Sequence, residues 1–206
     1  MEYIIGSHNS WSFLPSRKWW LRPFAFMAKC QSKDIFTQLR TYKVGCFDLR
    51  VRFNKKGEMV ISHGFMEYKY SKVSLFHDLT LLNINECSLR ILHEVRIKKQ
   101  YTRESIEKFI ALCEEIQTRF PKIKLWCGRN LYNWCVDYDF PYKPSCEEKY
   151  SSVRKPKYID DWFPWIYAKL NNKKNLKKGT ASDILLIDYV NLNYSRTNGM
   201  LFLKNR

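Results

Sequence analysis

Gly6-Ser7-His8-Asn9-Ser10 follows directly on the apolar run Tyr3-Ile4-Ile5. A short apolar run that ends in glycine and small polar residues predicts a buried strand opening into a turn. Two later pieces repeat the arrangement. Phe47-Asp48-Leu49-Arg50-Val51 lies within an alternating run over residues 46–53, and Ser62-His63-Gly64 ends an apolar run over residues 59–61. Two histidines and an arginine at the ends of neighbouring strands are the parts of an acid–base phosphoryl-transfer site. They supply a proton acceptor, a proton donor and a fixed cation for developing negative charge.

Working outward, Asp48, Arg50 and Arg52 share one face of the 46–53 strand, and Phe47, Leu49, Val51 and Phe53 the other. An apolar face against helices and a polar face turned inward is how an α/β barrel builds a site. Lys55-Lys56-Gly57 predicts a tight turn, after which Met59, Ile61 and His63 fall on one face. Upstream, residues 32–43 predict a helix capped by Ser32, with Asp34 in its first turn and Ile35, Leu39 and Tyr42 on one side. Downstream come a short helix near 73–82 and a strand over 89–97, with Glu94 and Arg96 on one face and His93 on the other. Thr102 caps a helix in which Ile106, Phe109, Ile110, Cys113 and Ile116 recur at helical spacing. A strand over 123–127 ends at Gly128-Arg129-Asn130. A loop over 138–156 follows, then a helix over 159–170 interrupted by Pro164, and a basic solvated loop over 169–178. The last clear strand, 184–190, carries Asp188. Six strands alternating with helices predict an α/β fold with a parallel sheet. The 206 residues show no internal repeat and no boundary, so residues 1–206 read as one domain.

Composition narrows the partners. Thirty-six basic against 20 acidic residues give a formal charge of +16, which favours anionic surfaces or substrates. Aromatics and cations interleave over residues 11–26, including Trp11, Trp19, Trp20, Arg22, Phe24 and Phe26. Such a segment suits a membrane interface, with rings at headgroup level and cations on phosphates. The competing reading places those rings in the core. Seven scattered cysteines without a Cys-x-x-Cys pair argue against a zinc cluster and for a reducing compartment. No run approaches the ~20 apolar residues that span a bilayer, and the first strand leaves no room for a secretory leader. A cytoplasmic or peripheral membrane location is therefore expected.

Together these residues resemble the X-domain family of phosphatidylinositol-specific phospholipases C, especially its bacterial, metal-independent branch. The likeness is concentrated at residues 5–10, 31–52 and 62–64, with a further match over 184–191. It implies a distorted, incompletely closed TIM-type (β/α) barrel. The activity it implies is a phosphodiester cleavage of phosphatidylinositol-type lipids or glycosylated anchors by the inositol 2-hydroxyl. Diacylglycerol and a cyclic inositol phosphate result. By motif position His8 is the base, His63 the acid, Arg50 the phosphate clamp and Asp188 the carboxylate that orients His8, with Asp48 and Asn9 completing the set. Arg129 and Lys98 are implied contacts to the inositol ring, and Trp19 and Trp20 to the membrane.

Arg50 stands where the calcium-dependent branch has an acidic residue, so no metal and no other cofactor is expected. Asn9 departs from the bacterial pattern, which has aspartate supporting the acid histidine. Two other readings compete. A metal-dependent glycerophosphodiester phosphodiesterase needs a Glu-x-Asp pair, which Asp48-Leu49-Arg50 does not supply. A non-catalytic basic module for anionic lipid or nucleic acid fits the charge, but leaves His8, Arg50 and His63 without a reason to converge. No nucleic-acid partner is expected, and a monomer is.

Overall fold

The computed structural model of the protein describes residues 4–95, 102–130, 136–137, 150–152, 163–177 and 184–193. The alternating run forms β2 (Cys46–Phe53), the strand from which the rest can be placed. Its apolar residues Phe47, Leu49 and Val51 are buried against β5 (Ser88–Glu94) and α3 (Arg103–Arg119), in a core with Leu89, Ile91, Phe109 and Ile116. Each such side chain contributes roughly 1.5–3 kcal/mol by leaving water. The remaining strands are β1 (Ile4–Ser7), β3 (Met59–His63), β4 (Met66–Glu67), β6 (Lys124–Asn130), β7 (Val136–Asp137), β8 (Tyr150–Ser152) and β9 (Ile184–Ile187). The other helices are α1 (Ile35–Arg40), α2 (Lys72–Ile84) and α4 (Pro164–Lys177), with 3-10 turns at Trp19–Met27 and Val190–Asn193.

The sheet runs β7-β6-β5-β2-β1-β9-β8. Six of these strands, β8, β9, β1, β2, β5 and β6, are parallel; β8 falls within the stretch over 138–156 expected as a loop, and the expected strand at 59–61 is not among them. The edge strand β7 is antiparallel. Among the described residues no pairing joins β7 to β8, so over those residues the α/β sheet is open and forms no complete barrel.

The third strand breaks the parallel rule. β2 and β3 form an antiparallel hairpin, with Val51 opposite Ile61 and Phe53 opposite Met59. Its turn, Lys55-Lys56-Gly57, is too short for a crossover, and Gly57 takes φ +74°. β1 packs so tightly on β9 that a side chain on Gly6 would strike Leu186.

Several local expectations shift. α1 is capped by Asp34, whose carboxylate accepts from Thr37 N at 2.7 Å, and Ser32 instead donates to Asn191. Pro164 starts α4 rather than interrupting a helix, because a proline at the first helical position gives up no intrahelical bond. The basic run after it is helical to Lys177, not a loop. Trp11 is fully buried, its indole N–H donating to Asp78 at 2.9 Å, so it belongs to the core. Trp19 and Trp20 are 72% and 55% exposed, which excludes the core reading for both. Cys30, Cys46, Cys87, Cys113 and Cys127 are all buried thiols. No described helix is long and apolar enough to cross a membrane.

Candidate active site

β2 has one edge shared by two strands. β1 pairs with Cys46 and Phe47 and then stops; β3 returns to pair with Val51 to Phe53. Residues 48–50 lie between, with a gap on that edge. His8 leaves β1 at the level of Asp48. The β3 register, continued, brings His63 back to the level of Leu49. Three sequence-distant side chains therefore meet at one break in the sheet. The break is closed by Ser10, whose N–H donates to the Asp48 carbonyl and whose Oγ accepts from the Asp48 N–H, both at 2.8 Å.

His8 is held from both sides. Its Nδ1 lies 2.6 Å from Asp188 Oδ1, and its Nε2 lies 2.6 Å from Arg50 Nη2. Arginine can only donate, so Nε2 accepts and the ring proton sits on Nδ1, facing Asp188. Gln31 anchors the same turn, donating to the carbonyls of His8 and Ile187 while accepting from Val190 N. Asp188 lies just past β9, so the β1–β9 pairing delivers it to His8.

Arg50 is nearly buried and bridges two carboxylates: Nε to Asp48 Oδ2 at 3.1 Å, and Nη1 to Glu94 Oε2 at 3.4 Å. Burial opposes its charge, but Asp48 and Glu94 outweigh that and hold it protonated. Asp48 is fully buried too. Burial alone would raise its pKa; Arg50, Arg90, His8 and the Asn9 N–H hold it well below the usual carboxylate range. The second oxygen of Glu94 accepts from Gly64 N at 2.7 Å, tying the turn after His63 to the arginine.

His63 packs edge-on to His8, ring centroids 5.8 Å apart. Its Nδ1 donates to the Ala28 carbonyl at 2.9 Å. Burial, and then the nearby Arg50 charge, push its pKa down to about 4, so the free protein holds it neutral at pH 7.

Asn9 has φ +47°, in the left-handed region where asparagine is among the few tolerated side chains. Its backbone N–H donates to Asp48 Oδ2 at 2.9 Å. Its amide is fully buried beside the Tyr68 hydroxyl. The tautomer of His63 is thus held by the Ala28 carbonyl rather than by Asn9.

The structure therefore brings together His8, Asn9, Asp48, Arg50, His63 and Asp188. Arg129 lies in β6 opposite His93, within one residue of the strand end. Lys98 lies outside the described residues. Sequence reasoning missed Glu94, Gln31 and Cys30. Glu94 alone carried a signal, as an acidic residue at the end of an apolar strand.

No family model matches the sequence, and no curated protein matches it. Solved structures do match the fold. The phosphatidylinositol-specific phospholipase C from Listeria monocytogenes superposes with a TM-score of 0.60 at 13% identity, covering 100% of this chain and 93% of that one. A mutant of the corresponding Staphylococcus aureus protein gives 0.58 at 14%, covering 90% of this chain and 84% of that one. A further S. aureus structure, whose subject is modulation of membrane binding, gives 0.52 at 14%, with 90% and 85% covered. The fold of this chain is that of the bacterial phosphatidylinositol-specific phospholipases C. Its sheet, left open among the described residues, is the form it takes here.

Proposed function

We propose that the protein is a phosphodiesterase of the phosphatidylinositol-specific phospholipase C type, acting at the surface of membranes that carry the lipid. The observation that supports this most is His8 held between Asp188 on one nitrogen and Arg50 on the other. An Nδ1–H fixed by a carboxylate aims the Nε2 lone pair into the site; Arg50 Nη2 holds that lone pair in the free protein and yields it to the inositol 2-hydroxyl when the guanidinium takes the phosphate, which gives His8 the geometry of a general base. The alkoxide attacks the adjacent phosphorus, and the glycerol oxygen leaves with a proton from His63. Diacylglycerol and a cyclic inositol phosphate are the products.

Arg50 is the phosphate clamp in this reading. Asp48 and Glu94 fix its plane, so the fork is aimed before substrate arrives. His63 must be charged to act as the acid. Burial and then the Arg50 charge depress His63; a phosphodiester anion against Arg50 offsets the second of these and favours the charged acid in the complex. A calcium ion held by Asn9, Asp48 and Glu94 fits poorly, because Arg50 already engages both carboxylates. The same guanidinium argues against a metal-dependent glycerophosphodiesterase. Trp19 and Trp20, exposed beside Lys18 and Arg22, suit insertion at a headgroup layer. We assign Arg129 to the inositol hydroxyls, and Lys98 to the same ring.

Diacylglycerol release from phosphatidylinositol vesicles tests the reading. The unmodified protein releases it and His8→Ala loses it. Equal release by both would reject His8 as the base.

A further inference from the structure

The proposed cycle makes no use of Cys30, whose thiol is fully buried beside both histidines. Its Sγ lies 3.9 Å from His63 Nδ1 and 3.7 Å from the Ala28 carbonyl. The backbone around it is fixed: Cys30 N–H donates to Ser12 Oγ at 2.9 Å, and its carbonyl accepts from Tyr189 N at 2.6 Å. Cys30 is thereby pinned between the loop that carries His8 and the strand end that carries Asp188. One ligand atom each from His8, Cys30 and Asp188 lie within 4.8 Å of one another.

We propose that His8, Cys30 and Asp188 form an inhibitory site for a thiophilic divalent cation of the zinc class. The donor set is one thiolate, one imidazole and one carboxylate, which suits zinc and not the hard cations that require six or more oxygens. Zinc bonds of about 2.0–2.3 Å set ligand atoms roughly 3.3–3.7 Å apart, so His8 Nδ1 and Asp188 Oδ1, now 2.6 Å apart, spread by about 0.7 Å or more, and ligand atoms separated by up to 4.8 Å close by about 1 Å, to complete the site. Three protein ligands leave a fourth position for water or an anion. The Asp188 edge of His8 is its Nδ1 side, and Arg50 lies on the Nε2 side. A cation shared with Asp188 therefore lies away from the guanidinium, and the thiolate and carboxylate together balance its two charges.

Proton bookkeeping explains the inhibition. The thiol loses its proton to solvent. The proton on His8 Nδ1 moves to Nε2, so Nδ1 can bind the metal. Nε2 then no longer accepts from Arg50 or from a substrate hydroxyl. The metal site stands on the geometry alone; only the inhibition rests on the proposed function.

Cobalt(II) titration of the chelator-stripped protein tests the site without any activity assay. One equivalent should produce a thiolate-to-cobalt charge-transfer band with tetrahedral visible absorption, and zinc should bleach it. Cys30→Ser should remove the band, and His8→Gln should weaken cobalt binding about tenfold or more. Circular dichroism checks that each variant folds; if Cys30→Ser does not, His8→Gln decides. No band in the unmodified protein, or a band unchanged in the variants that fold, would overturn the site. In parallel, zinc should block diacylglycerol release by the unmodified protein, with Cys30→Ser active in chelator and at least tenfold less sensitive. Release that zinc leaves untouched would overturn the inhibitory role. Absence of release in chelator would instead count against the proposed function while the cobalt result still decides the site.

Discussion

The two nitrogens of His8 face opposite chemistry, a carboxylate at 2.6 Å on one side and a guanidinium at 2.6 Å on the other. If Asp188 acts through His8, their losses should not add. His8→Ala and the His8→Ala/Asp188→Asn pair should have nearly the same kcat, because residues that work as a unit fail as one. Additive losses would give Asp188 a separate role. Arg50→Ala should lower turnover by ~10²–10³, the usual cost of removing one donor aimed at developing charge. Arg50→Lys should recover only part, since a point charge cannot reproduce a planar fork held by Asp48 and Glu94. Full recovery by lysine would show that charge alone suffices. At this scale the sequence was informative where residue type dictates chemistry: His8, Arg50, His63 and Asp188 do converge. It was silent on Cys30 and Gln31, whose roles depend on which backbone atoms the fold brings to them.

Among the elements, β2 was legible over its whole length, since alternation with period two predicts which residues face the core. The direction of β3 was not read, although the Lys55-Lys56-Gly57 turn carried the information. A turn that short can join only antiparallel neighbours. The 3-10 helix Trp19–Met27 was recognised by composition, and its burial could be settled only by the fold. With no buried residue in that helix, Trp19→Ala/Trp20→Ala should leave the melting temperature nearly unchanged and weaken binding to phosphatidylinositol vesicles. A large fall in melting temperature with unchanged binding would contradict the interface role.

The end of β5 offers a stability test. His93 stacks on Phe109 and packs edge-on to Phe53, and burial pushes its pKa down to about 4. The unfolded chain takes up that proton near pH 6.5 and the folded chain only near 4, so stability is full above 6.5 and falls as pH drops. The loss from this group is about 3 kcal/mol by pH 4. His63 contributes with the same sign. Urea unfolding at pH 7 and pH 4 should show His93→Phe losing clearly less stability than the unmodified protein; equal losses would show that His93 is not the source.

For the molecule as a whole, the α/β class was readable from strands alternating with helices. Closure was not, because it depends on edge pairings of short strands such as β7 and β8 that carry almost no periodic signal. The +16 charge adds a global field to the local site. Vesicle binding should therefore weaken as salt rises and the Debye length shortens from about 10 Å at 0.1 M. Salt-independent binding would leave the aromatics as the sole anchor. In the proposed function His8, Arg50 and His63 cleave a phosphodiester intramolecularly, with the guanidinium in the place of a metal. Phosphorus NMR of phosphatidylinositol vesicles mixed with the protein in excess chelator tests it most directly. The lipid signal should give way to that of a cyclic phosphodiester. An unchanged lipid signal in chelator, converting only when calcium is added, would contradict it.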